Sequence, residues 1–160
     1  AYSARQRRYE RYQYVGNVAT PGFVVDGKGW NGWFRGLPLP ASTAVENKGS
    51  LNVEIKGRNV MARFSSERKF KASPKVHMAI LGFGIVTPIK AGENRGKHLN
   101  HDFVALAYHS NFLLETVDGW QVNMKRPSNN KYSDSRQALV IWVSDGDDPK
   151  PIQVTGGWLK

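Results

Sequence analysis

The sequence predicts a mainly β fold: an antiparallel β-sandwich over residues 49–160, preceded by a short α/β segment over residues 1–48. Three observations carry that reading. In residues 51–56 apolar and polar side chains alternate strictly, and Val60, Ala62 and Phe64 repeat the alternation after Gly57-Arg58. That is the pattern of an antiparallel hairpin with one face buried and one wet. Asp118-Gly119 stands between two strand-like runs, 112–117 and 120–124, and is the strongest short hairpin signal in the chain. Seven or eight such runs joined by turns, almost without helical periodicity, are what a two-sheet sandwich needs.

The elements follow in order. Residues 3–13 hold good helix formers and neither Gly nor Pro, so they predict a helix. At about 100° per residue Tyr2, Tyr9 and Tyr12 share one side, and Arg7, Arg8 and Arg11 the other, so the buried face is expected to be aromatic. Gly16-Asn17 ends it. Phe23-Val24-Val25, closed by Asp26-Gly27, reads as a strand and a turn, with a second strand through 30–34 completing a hairpin. Leu37-Pro38-Leu39-Pro40 suits neither a helix nor a central strand and reads as an extended linker. A brief helix at 41–47 follows, and the boundary between the two units falls near residue 48. After the first sandwich hairpin, strands are expected at 76–81, 102–108, 112–117, 120–124, 138–143 and 152–155. The unbroken apolar run 138–143 marks a central strand covered on both faces. Trp142 within it is expected in the core, and Trp120, alternating with Val122 and Met124, faces inward.

The chain has 160 residues, 40% apolar and 22% charged, a globular composition. No stretch approaches the roughly 20 apolar residues of a membrane span. It contains no cysteine, which excludes a disulfide, a zinc–thiolate site and a thiol nucleophile in this chain. The first residue is Ala1, with no apolar leader after it, so an upstream segment lost by processing, proteolysis or choice of the expressed piece is expected. The net charge of +10 raises nucleic acid, an acidic polymer or an anionic surface as partners. Arg5, Arg7, Arg8 and Arg11 form one basic cluster; Arg68, Lys69, Lys71 and Lys75 form another. Neither is read as a stacking groove, so solvated faces are expected rather than a nucleic-acid site. An anionic ligand is kept as a partner class.

AYSARQRRYERYQYVGNVATPGFVVDG (1–27) and AGENRGKHLNHDFV (91–104) resemble, in order and at compatible spacing, two motifs of a family of uncharacterised secreted bacterial proteins. Members have a thioredoxin-like N-terminal half with a Cys-x-x-Cys, then a C-terminal β-sandwich. The resemblance covers the whole chain. It implies that residues 1–48 are a partial thioredoxin-like segment (helix, Thr-Pro loop, hairpin) without the Cys-x-x-Cys region that precedes it in the family. It further implies a cis Thr20–Pro21 bond in the loop facing the cysteine pair, and a secreted or periplasmic location. The implied partner is the missing N-terminal segment of the same protein or a second copy of the chain. Because exchange needs a thiolate, no thiol–disulfide activity is expected here, and a binding or interaction role is. The alternative, from a different class, is a stand-alone β-sandwich module for an anionic polymer or carbohydrate.

The candidate ligand- or partner-binding residues are Thr20 and Pro21, Trp30 and Trp33 beside glycines, and Glu93, Asn94 and Arg95. The last three lie between Gly92 and Gly96, which suggests either a long hairpin connection or a loop of fixed shape presenting them outward. His98, His101 and Asp102 are metal candidates by residue type. On one strand, however, His98 and His101 point to opposite faces, and hydrogen-bonded surface histidines are expected instead. His77, alone in an apolar strand, reads as a satisfied sheet residue. Gly27-Lys-Gly-Trp-Asn-Gly32 has dinucleotide-loop spacing, but prolines follow it instead of a helix start, so a hairpin turn is expected. Asp145-Gly-Asp-Asp148 lacks the spaced ligands of a calcium loop and reads as a turn. No catalytic constellation is visible, and no cofactor is expected.

Overall fold

The structure is a computed structural model and describes residues 2–18, 22–41, 48–128 and 132–159. The expected cis Thr20–Pro21 bond and the brief helix after residue 41 lie outside the described residues.

The N-terminal unit opens with α1 (Tyr2–Arg11), carried by the helix formers of that stretch. Asp26 and Gly27 both take positive φ, 48° and 79°, as a two-residue hairpin turn of the favoured hand requires. The turn pairs β1 (Val24–Val25) with β2 (Lys28–Gly29). The second arm is therefore earlier and shorter than the strand expected at 30–34. Those residues instead enter a 3₁₀ turn, Gly32–Arg35, closed by Gly36 in the left-handed conformation. Gly32 lies where a side chain would run into the Trp30 ring.

The alternation after residue 50 builds β3 (Ser50–Lys56) and β4 (Asn59–Ser65), joined across Gly57-Arg58. β5 (Pro74–Phe83) begins on a proline, which a strand tolerates at its first position. β6 (Ile85–Pro88) and β7 (His98–His101) form a two-stranded arm where the sequence suggests little more than a connection. Then follow β8 (Val104–Phe112), β9 (Leu114–Thr116), β10 (Gly119–Lys125), β11 (Arg136–Asp145) and β12 (Gln153–Trp158). Thr116 pairs with Gly119, so the β9–β10 turn is Val117-Asp118, one residue earlier than the Asp-Gly signal suggests.

Two four-stranded antiparallel sheets result, β3-β4-β10-β9 and β12-β11-β5-β8. Their facing sides supply one core. Val60, Ala62, Phe64, Val122 and Met124 come from the first sheet; Val76, Met78, Ile80, Leu139, Ile141 and Val143 come from the second. Trp120 packs against that core, as its alternation predicts.

The other side of the second sheet departs from expectation. Ile141 and Val143 point into the core, so Trp142 between them points outward, beneath α1, with the Arg5 guanidinium 4.9 Å from its ring. α1 is fixed there by Arg5 and by the Tyr9 hydroxyl, which donate to the Pro149 carbonyl at 2.9 and 3.0 Å. The buried face of α1 is therefore mixed. Tyr9 is buried and Tyr12 exposed, while Arg5, one turn before Tyr9, shares its side. The Arg5 guanidinium stacks on the indole and donates from Nη2 to the Tyr9 hydroxyl and the Pro149 carbonyl, which offsets a burial that leaves Nη1 without a partner among the described residues.

Candidate partner-binding surface

The β1–β2 hairpin is two residues long on each side, and among the described residues its strands pair only with each other. So short a hairpin buries little, and the aromatics around it stay at the surface. Phe23, just before β1, meets the Trp33 ring at 5.3 Å and the edge of Trp30 at 6.0 Å. Trp33 is 60% and Phe34 66% exposed. Val18, Val24, Leu37 and Leu39 are exposed as well. Beside the cluster lies a cavity of about 370 Å³ lined by Tyr14, Asn17, Phe23, Asn31 and Phe34, among others. Burial, then the bond to Asp148, pushes the Tyr14 phenol up to about 12, so it stays a proton donor across the neutral range. Such a surface offers flat apolar contact with a few amide and hydroxyl groups, a composition typical of protein-binding patches.

Of the residues singled out from sequence, Trp30 and Trp33 are brought together here. Thr20 and Pro21 lie outside the described residues, between Val18 and Gly22. Glu93, Asn94 and Arg95 stand at the tip of the β6–β7 arm, whose strands contact chiefly one another. The tip is shaped by its own turns, with Gly92 and Gly96 at φ of 80° and 85° and Lys97 donating to Asn94 at 3.0 Å. His98 and His101 both lie on β7 and alternate. His101 bonds the Thr87 hydroxyl at 2.7 Å, and Asp102 accepts from the Gly84 N–H at 2.8 Å, closing the base of the arm. Among the described residues no three His, Cys, Asp or Glu side chains stand close enough to hold a metal.

With the geometry in place, one comparison is decisive for kinship: residues 1–144 match the family described as "Protein of unknown function (DUF1223)". The chain belongs to this family. No curated protein and no solved structure matches it. The DUF1223 match bears out an uncharacterised family, and it carries no information on secretion or on a thioredoxin-like half. Among the described residues no helix is long and apolar enough to cross a membrane.

Two further features of this DUF1223 chain bear on its chemistry. His77 is 1% exposed and has both ring nitrogens occupied, Nδ1 by the Tyr108 hydroxyl at 2.6 Å and Nε2 by Ser144 Oγ at 2.7 Å. Ser144 donates its own proton to the Gly146 carbonyl, so it accepts from Nε2–H, and Tyr108 donates to Nδ1. A serine whose proton goes to a carbonyl, fully buried, is no nucleophile, and His77 is the satisfied sheet residue expected. Second, the two basic clusters, far apart in sequence, meet around the Asp145–Asp148 turn. Asp147 takes Lys75 at 3.0 Å and Arg8 at 3.6 Å, and Asp145 faces Arg68 at 4.0 Å. Lys75 holds the Asp147 carboxyl below the usual carboxylate range. Phe23, Phe34 and Tyr14 are the site residues that the sequence reading missed. The available signal was an aromatic-rich stretch running into the proline linker, too short to form a core of its own.

Proposed function

We propose that this chain is a binding module of a secreted thioredoxin-like protein that performs no thiol–disulfide exchange itself. Its N-terminal unit would offer the Phe23–Trp30–Trp33–Phe34 surface to a protein partner. One observation carries the reading: β1 has no partner strand on its outer side among the described residues, whereas β2 is tied there by the Gly29 N–H donating to the Tyr14 carbonyl at 2.7 Å, and the hairpin sits beside Trp33 and Phe34, both more than half exposed. An unpaired edge beside an apolar surface is a template for strand addition. The resemblance names the occupant, a Cys-x-x-Cys-bearing segment of the same protein, with a second copy of the chain as the substitute. Sedimentation velocity combined with native mass spectrometry tests this. A dimer, or a complex with that segment supplied as a peptide, is the expected result. A chain that stays monomeric at high concentration and ignores the peptide overturns it.

A second reading has its own support. The +10 charge and aromatic side chains elsewhere on the sandwich suit a module for an anionic polymer or carbohydrate. Retention on heparin that falls steeply with salt is its test, and elution at low salt counts against it.

A further inference from the structure

We infer that the outer face of the second sheet carries a site for an acidic polysaccharide, built from Phe103, Phe83, Trp158 and Arg136. The site rests on the second of the two readings above and is independent of the N-terminal aromatic surface. Phe83 pairs with Arg136 across β5 and β11, and Trp158 pairs with Ala138 across β12 and β11. Both pairs fall on the same side as Trp142, away from the core, beyond the region that α1 covers. The Phe103 and Phe83 rings are 4.7 Å apart, the Phe83 and Trp158 rings also 4.7 Å, and the Arg136 guanidinium lies 3.6 Å from the Trp158 ring. They form one continuous strip.

Phe103 is the informative member. It is 71% exposed and also takes a φ of 59°, the left-handed region that a bulky side chain avoids. The residue thus bears two unfavourable features, exposed apolar area and a strained backbone, and gains little burial in return. Asp102 fixes the bend by accepting the Gly84 N–H, and Trp158 at the far end of the strip is 52% exposed. Strain and apolar exposure held together at one point are the marks of a ligand surface.

Charge selects the occupant. Among the described residues no carboxylate forms an ion pair with Arg136. A guanidinium stacked on an indole keeps its edge donors for a carboxylate, which it binds in bidentate fashion. The β6–β7 arm springs from between Phe83 and Phe103 and carries Lys90, Arg95 and Lys97 against the single acid Glu93. A uronic acid polymer meets both requirements, since its C–H faces lie on the rings and its carboxylates reach Arg136 and the arm. Successive rings are tilted by 66° and 61°. Adjacent rings so tilted do not form a run of parallel platforms for successive single-stranded bases.

The test titrates the full chain with a galacturonic acid oligosaccharide, read by tryptophan fluorescence and calorimetry. A neutral galactose oligosaccharide and oligo-dT serve as comparators. Binding of the uronate alone, weakening with salt, is expected. Arg136→Gln should weaken it by about tenfold, the loss of one charge-assisted pair. Phe103→Gly should weaken it several-fold while Tm holds or rises, because glycine takes that φ without strain; a purely structural ring would show the opposite. Trp33→Ser should bind like the parent. No uronate binding, or unchanged binding in Arg136→Gln and Phe103→Gly, overturns the site. Tighter binding of oligo-dT would overturn it in favour of a nucleic-acid face. Loss of uronate binding in Trp33→Ser alone would move the sugar to the N-terminal aromatics, overturning this site while sparing the broader carbohydrate reading.

Discussion

His77 lies nearly parallel to Trp142, ring planes 10° apart and centroids 5.1 Å apart, in the seam beneath α1. The indole, Tyr108 and Ser144 enclose it, and Arg5, Lys75 and Arg8 add positive charge. Burial first, then those cations, pull its pKa down from 6.5 to about 3. The folded protein therefore holds His77 neutral over a range in which the unfolded chain protonates it.

The sign of the pH dependence follows. Between about 3 and 6.5 only the unfolded state binds the His77 proton, so stability rises with pH across that window. Well below 6.5 the slope from this residue approaches about 1.4 kcal/mol per pH unit. Urea midpoints at several values between pH 7 and 4.5 should fall with acidity in the parent, and should fall less steeply in His77→Gln. Staying above pH 4.5 keeps Asp147 out of the comparison, since its contribution is lost only as pH drops below the ordinary carboxylate value of 3.8. Equal slopes for the two proteins would contradict the buried neutral imidazole.

Asp145 organises the approach to β5. Its carboxylate accepts the backbone N–H groups of Lys71 and Ala72 at 3.0 and 2.9 Å, and it is itself buried. Asp145→Ala leaves those donors without their charged acceptor and should cost about 2–3 kcal/mol by denaturant unfolding. Asp145→Asn, which keeps an acceptor oxygen and loses the charge, should cost roughly half as much. A loss below about 0.5 kcal/mol for Asp145→Ala would show that this segment finds other partners.

The sandwich was legible wherever one face of a strand is wet. Residues 51–64 and 120–124 alternate because solvent demands polar groups on one side, and the observed register of β3, β4 and β10 follows that alternation. β11 is different: the helix covers its outer face, so both faces are apolar or aromatic and parity alone could not say which side held Trp142. The β6–β7 arm was hidden for another reason. It is paired on itself and half polar, with exposed Val86 and Leu99, and so carries no burial signature. Trp33 is exposed, as the glycine beside it suggested, whereas Trp30, also beside a glycine, is half-buried against Phe23. The Phe103–Phe83–Trp158 strip was not legible, because its members are far apart in sequence and meet only through strand pairing.

Phe64 tests the alternation by contrast with its neighbour Met61. Phe64 is almost fully buried at the centre of the core, against Phe70 and Trp120. Met61 lies on the outer side of the same strand, opposite Glu54 and Asn123. Phe64→Ala should cost about 3–5 kcal/mol, while Met61→Ala should cost less than about 1 kcal/mol, as a partly exposed residue away from the core does. Similar losses at both positions would mean that the first sheet is covered on its outer face as well.

Trp33 and Phe34 separate folding from association. They stand in the 3₁₀ turn, where the Trp33 ring meets Phe23 at 5.3 Å. Because both side chains are mostly in solvent, Trp33→Ser with Phe34→Ser removes little buried area and should shift unfolding by no more than about 1 kcal/mol. The same pair forms the most exposed part of the proposed partner surface, so the double variant should lose self-association or peptide capture by at least about tenfold, the usual scale for aromatic anchors. The two readouts pull apart only if the aromatics serve a partner. A large stability loss would instead place them in the packing of the N-terminal unit, and unchanged association with unchanged stability would leave the surface without a role in binding.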